Sequence, residues 1–208
     1  GAGDLGQQIS HYISESNHFE VVGFVDDWGV IGEIRNGFQI LGRINQLDTL
    51  YSQNIYDELL MGIGYNHFEI RKTIFEKYSQ MISFATYIHP TCVIDGTAKI
   101  GKGVIILPKC VIDMEVVIDD NVFIYSGTVL GHNTHIGAQS MISLSVTTGG
   151  FSTIGKSCFL GIGACVCDKT IIANHTFLGA GTNVIKDITE GNGVYVGNPA
   201  RYLRENKS

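Results

Sequence analysis

From residue 94 to residue 184 an aliphatic side chain returns at every sixth position, with one break. The series runs Ile94, Ile100, Ile106, Ile112, Ile118, Ile124, Leu130, Ile136 and Ile142, breaks at Thr148, and resumes with Ile154, Leu160, Val166, Ile172, Leu178 and Val184. Two residues before each stands a small or β-branched side chain, among them Cys92, Ala98, Val104, Cys110, Thr134 and Ser140. Glycine often follows the aliphatic, as at Gly101, Gly131, Gly137, Gly155, Gly161 and Gly179. A helix repeats near 3.6 residues and a strand near 2, so neither explains this spacing. A short strand plus a tight corner takes about six residues, and three such units make one coil of a parallel β-helix, roughly 18 residues long. The aliphatic and the small residue two before it then point inward. Glycines and polar residues take the corners, and residues one coil apart lie above one another. Thr148 reads as a small residue tolerated in a less crowded coil.

Before residue 85 the pattern changes. Helical stretches at Gln7 to Ser14, Ile44 to Tyr51 and His67 to Tyr78 alternate with strand-like runs at Phe19 to Val25 and Glu58 to Ile63. Asn66 is the expected N-cap of the third helix, and Phe84 to Thr86 a last short strand. Such alternation predicts a small parallel α/β unit. Its first residues, Gly1-Ala2-Gly3-Asp4-Leu5-Gly6, read G-x-G-x-x-G and lead directly into a helix, whose N–H groups suit a phosphate. The acidic pair Asp26-Asp27 follows at the end of a strand, where ribose contacts form in such folds. Too little chain follows for a full dinucleotide domain, which argues against NAD. The expected division is therefore residues 1–85, a coil over 86–194, and a tail over 195–208.

Composition narrows the partners. The formal net charge of −6 argues against nucleic acid or an anionic membrane surface. No apolar run is long enough to span a bilayer. No signal peptide is legible, and the abrupt start points to an upstream segment outside the sequence. Of five cysteines, Cys92, Cys110 and Cys158 fall at the small inward position. Cys165 and Cys167 lack the further ligands of a zinc site. Free thiols suit a reducing cytoplasm.

The joint layout of GAGDLG, GFVDD, GIGYN, the Arg71 helix, Ile88-His89-Pro90, the hexad coil and the closing Val196-Gly197-Asn198-Pro199-Ala200-Arg201 resembles the bacterial nucleotide-sugar acetyltransferases of the hexapeptide-repeat family. These include bacillosamine and perosamine N-acetyltransferases and sialic-acid O-acetyltransferases. The resemblance implies an N-terminal Rossmann-like α/β domain followed by a left-handed β-helix. It also implies acetyl-CoA as co-substrate, no metal, and a homotrimer with sites between subunits. The implied reaction is acetyl transfer to the amino group of a nucleotide-linked 4-amino-4,6-dideoxy sugar. O-acetylation of a sialic acid and a non-catalytic relative are the alternatives.

Within that resemblance Gly131-His132-Asn133-Thr134-His135-Ile136-Gly137 matches the segment carrying the family's catalytic base. Histidine suits that role because its unperturbed pKa lies near 6.5. Asn133 stands where the family often has an acid, so it can orient the ring but supplies no charge. Met141 stands at the position of a second family histidine and can only pack against the cofactor. One coil above His132 lies Gly150, whose N–H is open to a thioester oxygen. The resemblance adds Ile162 and Ala180 to the acetyl-CoA site, in a corner column with Leu144 and Asn198. For the nucleotide it implicates Gly3, Asp4, Leu5, Asp26, Asp27 and Gly64. Similar coils carry zinc on three histidines. Here His132 and His135 find no well-placed third, so no metal is expected.

Overall fold

The structure is a computed structural model that describes residues 1–16 and 18–206. The chain divides into two units, Gly1–Ala85 and Thr86–Ser208.

The first unit opens with helix α1 (Asp4–Ser14), which buries Gly6, Ile9, Ser10 and Ile13 on one face. Strands β1 (Phe24–Val25), β2 (Ile34–Arg35) and β3 (Phe38–Gly42) form one sheet. In it β1 runs parallel to β3 and β2 antiparallel to it. After helix α2 (Leu47–Ser52), strand β4 (Glu58–Leu59), helix α3 (Phe68–Tyr78) and strand β5 (Ser83–Phe84) complete the unit, with β4 parallel to β5. An apolar cavity of about 140 Å³ lies among residues including Ile9, Phe24, Leu41, Tyr56 and Met61. Three expectations need correction. Only Phe24–Val25 of the run from Phe19 pairs as a strand, and only Glu58–Leu59 of the run from Glu58. The β2–β3 hairpin was not foreseen, although Asn36 and Gly37 both take the left-handed conformation that such a turn needs. Asn66 is not the cap of α3; it lies inside a 3₁₀ turn, Tyr65–His67, and His67 takes the N-cap position without a side-chain bond.

The second unit is a left-handed parallel β-helix. Two-residue strands recur every hexad and stack in three faces, each strand in register with the one a coil away, as Val111 with Val129. The first face holds Val129–Leu130 and Thr147–Thr148. The second holds His135–Ile136 and the third Met141–Ile142. The inward aliphatics from Ile106 to Val184 form one continuous core with the small residues that precede them, Cys110 and Cys158 included. Each fully buried aliphatic contributes about 1.5–3 kcal/mol. Buried hydroxyls bond corner carbonyls, as Thr128 Oγ1 does Ser143 O at 3.0 Å and Ser140 Oγ does Gly155 O at 2.9 Å.

Two positions of the hexad make the corner, for different reasons. The third residue after each aliphatic has positive φ without interruption from Gly103 to Gly181. It is usually not glycine: Lys109, Glu115, Asn121, Asn133, Gln139, Ser145, Phe151, Ser157, Lys169 and His175 all adopt it. Its N–H donates to the coil below, to a corner carbonyl as Asn133 does to Met114 at 2.9 Å, or to a hydroxyl as Lys109 does to Thr91 and Glu115 to Thr97. The glycine directly after the aliphatic instead permits close approach. A Cβ on Gly131 would lie 2.7 Å from Thr148 O, and one on Gly155 2.6 Å from Asn174 N.

The last residues, expected as a tail, carry secondary structure. Strand Gly193–Val196 continues the third face, and Arg201–Glu205 pairs with it antiparallel. No helix among the described residues is long and apolar enough to cross a membrane.

Candidate active site

His132 occupies the corner between the first and second faces. Gly131 lets the coils close up before it, and Asn133, at φ +58°, turns the chain after it. The side chain lies at the tip of the corner, and His132 is exposed. Its Nδ1 lies 3.1 Å from Asn133 Oδ1. An amide oxygen only accepts, so in the neutral ring this contact selects the tautomer with the proton on Nδ1 and the acceptor on Nε2. That Nε2 faces Gly150: a Cβ built there would sit 2.6 Å from Nε2 and 2.7 Å from Cε1. Among the described residues no acceptor bonds the Gly150 N–H. The ring nitrogen thus lies against the backbone of Gly150, and a base next to an unbonded backbone N–H is the pairing that proton removal and oxyanion stabilisation use.

Three neighbours of this corner were missed. Phe151 places its ring edge-on to the imidazole, with centroids 5.0 Å apart and planes at 90°. It is 53% exposed and holds φ +58°, where a bulky residue is strained. Met114, one coil below His132, is 51% exposed. Thr148, expected as a merely tolerated break in the hexads, has a buried hydroxyl 3.1 Å from Thr134 Oγ1, and it accepts the Gly131 N–H at 3.3 Å. Ser152 Oγ bonds Gly149 O at 2.8 Å in the same cluster. The interrupted hexad thus fixes the backbone on either side of the His132 corner. The break at Thr148 was the available signal.

Other expected site residues lie elsewhere. Met141 is fully buried on the third face between Phe123 and Phe159, and it does not join His132. Ile162 and Ala180 are exposed in a column with Leu144 at the corner between the third and first faces, the opposite edge of the first face from His132. His135 stands on the second face with Nε2 3.1 Å from Asp119 Oδ1, so the local carboxylate serves His135 and not His132. Among the described residues no group of three or more His, Cys, Asp or Glu is arranged to hold a metal ion.

In the first unit, Gly3 is the N-cap of α1, with Asp4 and Leu5 in its first turn, and no side chain caps the helix. A Cβ built on Gly3 or on Gly64 would meet nothing within 4 Å. Asp26 differs from expectation. It is 6% exposed, and its carboxylate accepts the N–H groups of Ala2 at 2.7 Å, Trp28 at 2.9 Å and Gly29 at 2.7 Å. Burial would raise its pKa, but these backbone donors hold it below the ordinary carboxylate value. Its work is to tie the glycine-rich loop to the turn after β1. Asp27 is exposed and accepts the Ile44 N–H at 2.9 Å. Arg35 Nη1 reaches Ala2 O at 3.3 Å, a cation beside the loop that no motif marked.

Comparison with known proteins follows the same division. The family model described as the GMPPB C-terminal domain matches residues 84–194, and that described as the PglD N-terminal domain matches residues 1–78. No curated protein matches the chain. The acetyltransferase domain of PglB from Neisseria gonorrhoeae FA1090, solved with acetyl coenzyme A, is similar at 27% identity and a TM-score of 0.89, over 98% of this chain and 96% of that one. A mutant of perosamine N-acetyltransferase from Caulobacter crescentus, solved with CoA and GDP-perosamine, shares the fold at 24% identity and a TM-score of 0.91, over 99% and 95%. WeeI from Acinetobacter baumannii AYE shares it at 20% identity and a TM-score of 0.66, over 98% and 97%.

Proposed function

We propose that the chain, which belongs to the family of the GMPPB C-terminal domain, is an acetyl-CoA-dependent N-acetyltransferase acting on a nucleotide-linked amino sugar, with His132 as general base. The observation that carries this reading is the His132 corner itself, with Nε2 free against Gly150 and Nδ1 held by Asn133. The likeness to the PglB domain and its acetyl coenzyme A complex supports the donor. The GDP-perosamine complex of a protein with the same fold supports the acceptor class.

The neutral sugar amine attacks the thioester carbonyl, and His132 Nε2 takes its proton. The oxyanion of the tetrahedral intermediate accepts a hydrogen bond from the Gly150 N–H, a donor of a kind worth about 3 kcal/mol of transition-state stabilisation. The C–S bond then breaks, and the proton passes from His132 to the departing sulfur. Asn133 holds the tautomer. Ile162 and Ala180, smooth and exposed, line the path of the pantetheine arm. This reading includes a homotrimer, in which the His132 edge of one subunit meets the Ile162 edge of the next, and a cytoplasmic enzyme whose cysteines stay free. Gly3, Asp4, Leu5, Asp27 and Gly64 surround the nucleotide, and Asp26 shapes the loop that receives it.

Thiol release from acetyl-CoA, measured against a panel of 4-amino sugar nucleotides and sialic acid, tests the reading. Turnover with an amino sugar nucleotide is expected. Turnover with sialic acid alone makes it an O-acetyltransferase, and no turnover with either removes the enzymatic reading.

A further inference from the structure

Three backbone segments of the first unit converge. The glycine-rich loop and the Asp26–Gly29 turn are joined through one carboxylate, since Ala2 N–H donates to Asp26 Oδ2 and Trp28 N–H to Oδ1. Arg43 clamps the same turn from behind, its Nη1 on Asp26 O at 2.9 Å and Gly29 O at 2.6 Å. The third segment is the 3₁₀ turn after Gly64, closed by His67 N–H to Gly64 O at 3.2 Å. Its His67 ring stacks on the Trp28 indole, with centroids 6.0 Å apart and planes at 29°.

The indole is 72% exposed even so. Leaving so large an apolar ring in water is unfavourable by its whole buried-state gain, and its backbone is fixed on both sides. Val30, Ile31 and Ile34 nearby are also exposed. Of these four, Trp28 alone is braced by an aromatic ring from another segment, and it alone lies within the turn that holds the glycine-rich loop. A rigid, backed, flat apolar surface beside a loop of open backbone suits a flat heteroaromatic ring. Every nucleobase offers such a π face.

We propose that Trp28, braced by His67, is the surface on which the base of the nucleotide-linked substrate stacks. This rests on the nucleotide-sugar reading above. It assigns base recognition to the turn after β1, while Asp26 serves only to hold that turn. Stacking is tolerant of base identity, so the discrimination between uracil, thymine and guanine falls to edge contacts around the ring.

Trp28 is the sole tryptophan of the chain, so its fluorescence reports on this site directly. UDP, dTDP and GDP are titrated separately into the protein without acetyl-CoA, with inorganic pyrophosphate as control. Saturable change of the indole emission by at least one nucleotide, and none by pyrophosphate, is expected. By calorimetry Trp28→Ala should weaken that nucleotide about tenfold or more, and Trp28→Phe should restore most of the loss. The KM for the nucleotide sugar should rise with the same ranking, with kcat little changed. Emission indifferent to all three nucleotides, or affinity unchanged in Trp28→Ala, overturns the proposal. So does emission that follows protein concentration and not nucleotide, which assigns the indole to a subunit contact. Since binding is read without acetyl-CoA, quenching without acetyl transfer would sink the enzymatic reading alone, and acetyl transfer without quenching would sink this proposal alone.

Discussion

The bend at His132 and the bend at Asp26 both follow a strand and both present a polar side chain, yet they are held together in opposite ways. At His132 the backbone satisfies itself: Asn133 N–H bonds Met114 O below, and Phe151 N–H bonds His132 O from above. Buried hydroxyls of Thr134, Thr148 and Ser152 complete the support from inside. The imidazole is left over for chemistry. At Asp26 the side chain is the support, its carboxylate binding three N–H groups of two segments. The coil can leave a corner side chain such as His132 free, although others such as Asp120 and Asn174 still bind a neighbouring N–H, whereas the turn at Asp26 depends on its side chain altogether.

The sharpest test of that contrast is His132→Ala. It should lower kcat by 10²- to 10⁴-fold while barely moving the melting temperature of the coil, since the exposed ring contacts the side chains of Asn133 and Phe151 and, among the described residues, bonds no backbone group. Retention of more than about a tenth of wild-type kcat would return the ring to a solvated corner residue. Next comes Gly150→Ala. The new methyl must displace the end of an exposed ring rather than backbone, so stability should barely move, but the base moves with it. A loss of about 10²-fold in kcat is expected from such a displacement; unchanged kcat would mean that Nε2 does not work from where it lies.

Asp26→Ala should do the reverse. Orphaning three N–H groups costs about 2–4 kcal/mol, read as earlier unfolding of the first unit, with the coil unaffected. The acid limb carries the same signature. Because the folded carboxyl titrates below its ordinary value, its stabilisation is present at neutral pH and disappears as pH falls below about 3.9. In Asp26→Asn that share of the acid sensitivity should vanish. If instead stability is unchanged and only nucleotide affinity falls, Asp26 is a ligand contact after all.

The smallest effect carries a reversed sign. Phe151→Asn removes a bulky residue from the left-handed region, worth about 1 kcal/mol of added stability. It also removes the ring against His132, so kcat should fall about tenfold. A variant that is both more stable and fully active would show Phe151 to be incidental.

The coil was legible because side-chain spacing and backbone spacing coincide there. Periodicity alone placed Gly150 over His132, and the contact is present. It did not reveal which corner position bends the chain, because inter-coil hydrogen bonds let Lys, Ser and even Phe occupy a conformation usually left to glycine. Nor did it show that Met141 faces a packed surface, since the repeat separates inward from outward but says nothing of what covers the outside. In the first unit the glycine motif announced α1 but set its start at Gln7, whereas the helix already begins at Asp4 within the motif. The role of Asp26 depended on Ala2, Trp28 and Gly29 arriving at one carboxylate, a convergence of segments that no local pattern encodes. Trp28 and His67 escaped notice for the same reason.

The strand Arg201–Glu205 runs against the direction of every other strand on its face and is exposed along its length. A solenoid of identical steps has no built-in limit to growth, since each rung is a template for another. Reversing the final rung and studding it with Arg201, Arg204 and Glu205 presents a mismatched, charged rim to any molecule arriving end-on. Among the described residues the hairpin covers the strand edge at Phe177–Leu178, so removing it should raise end-on self-association, which light scattering would measure.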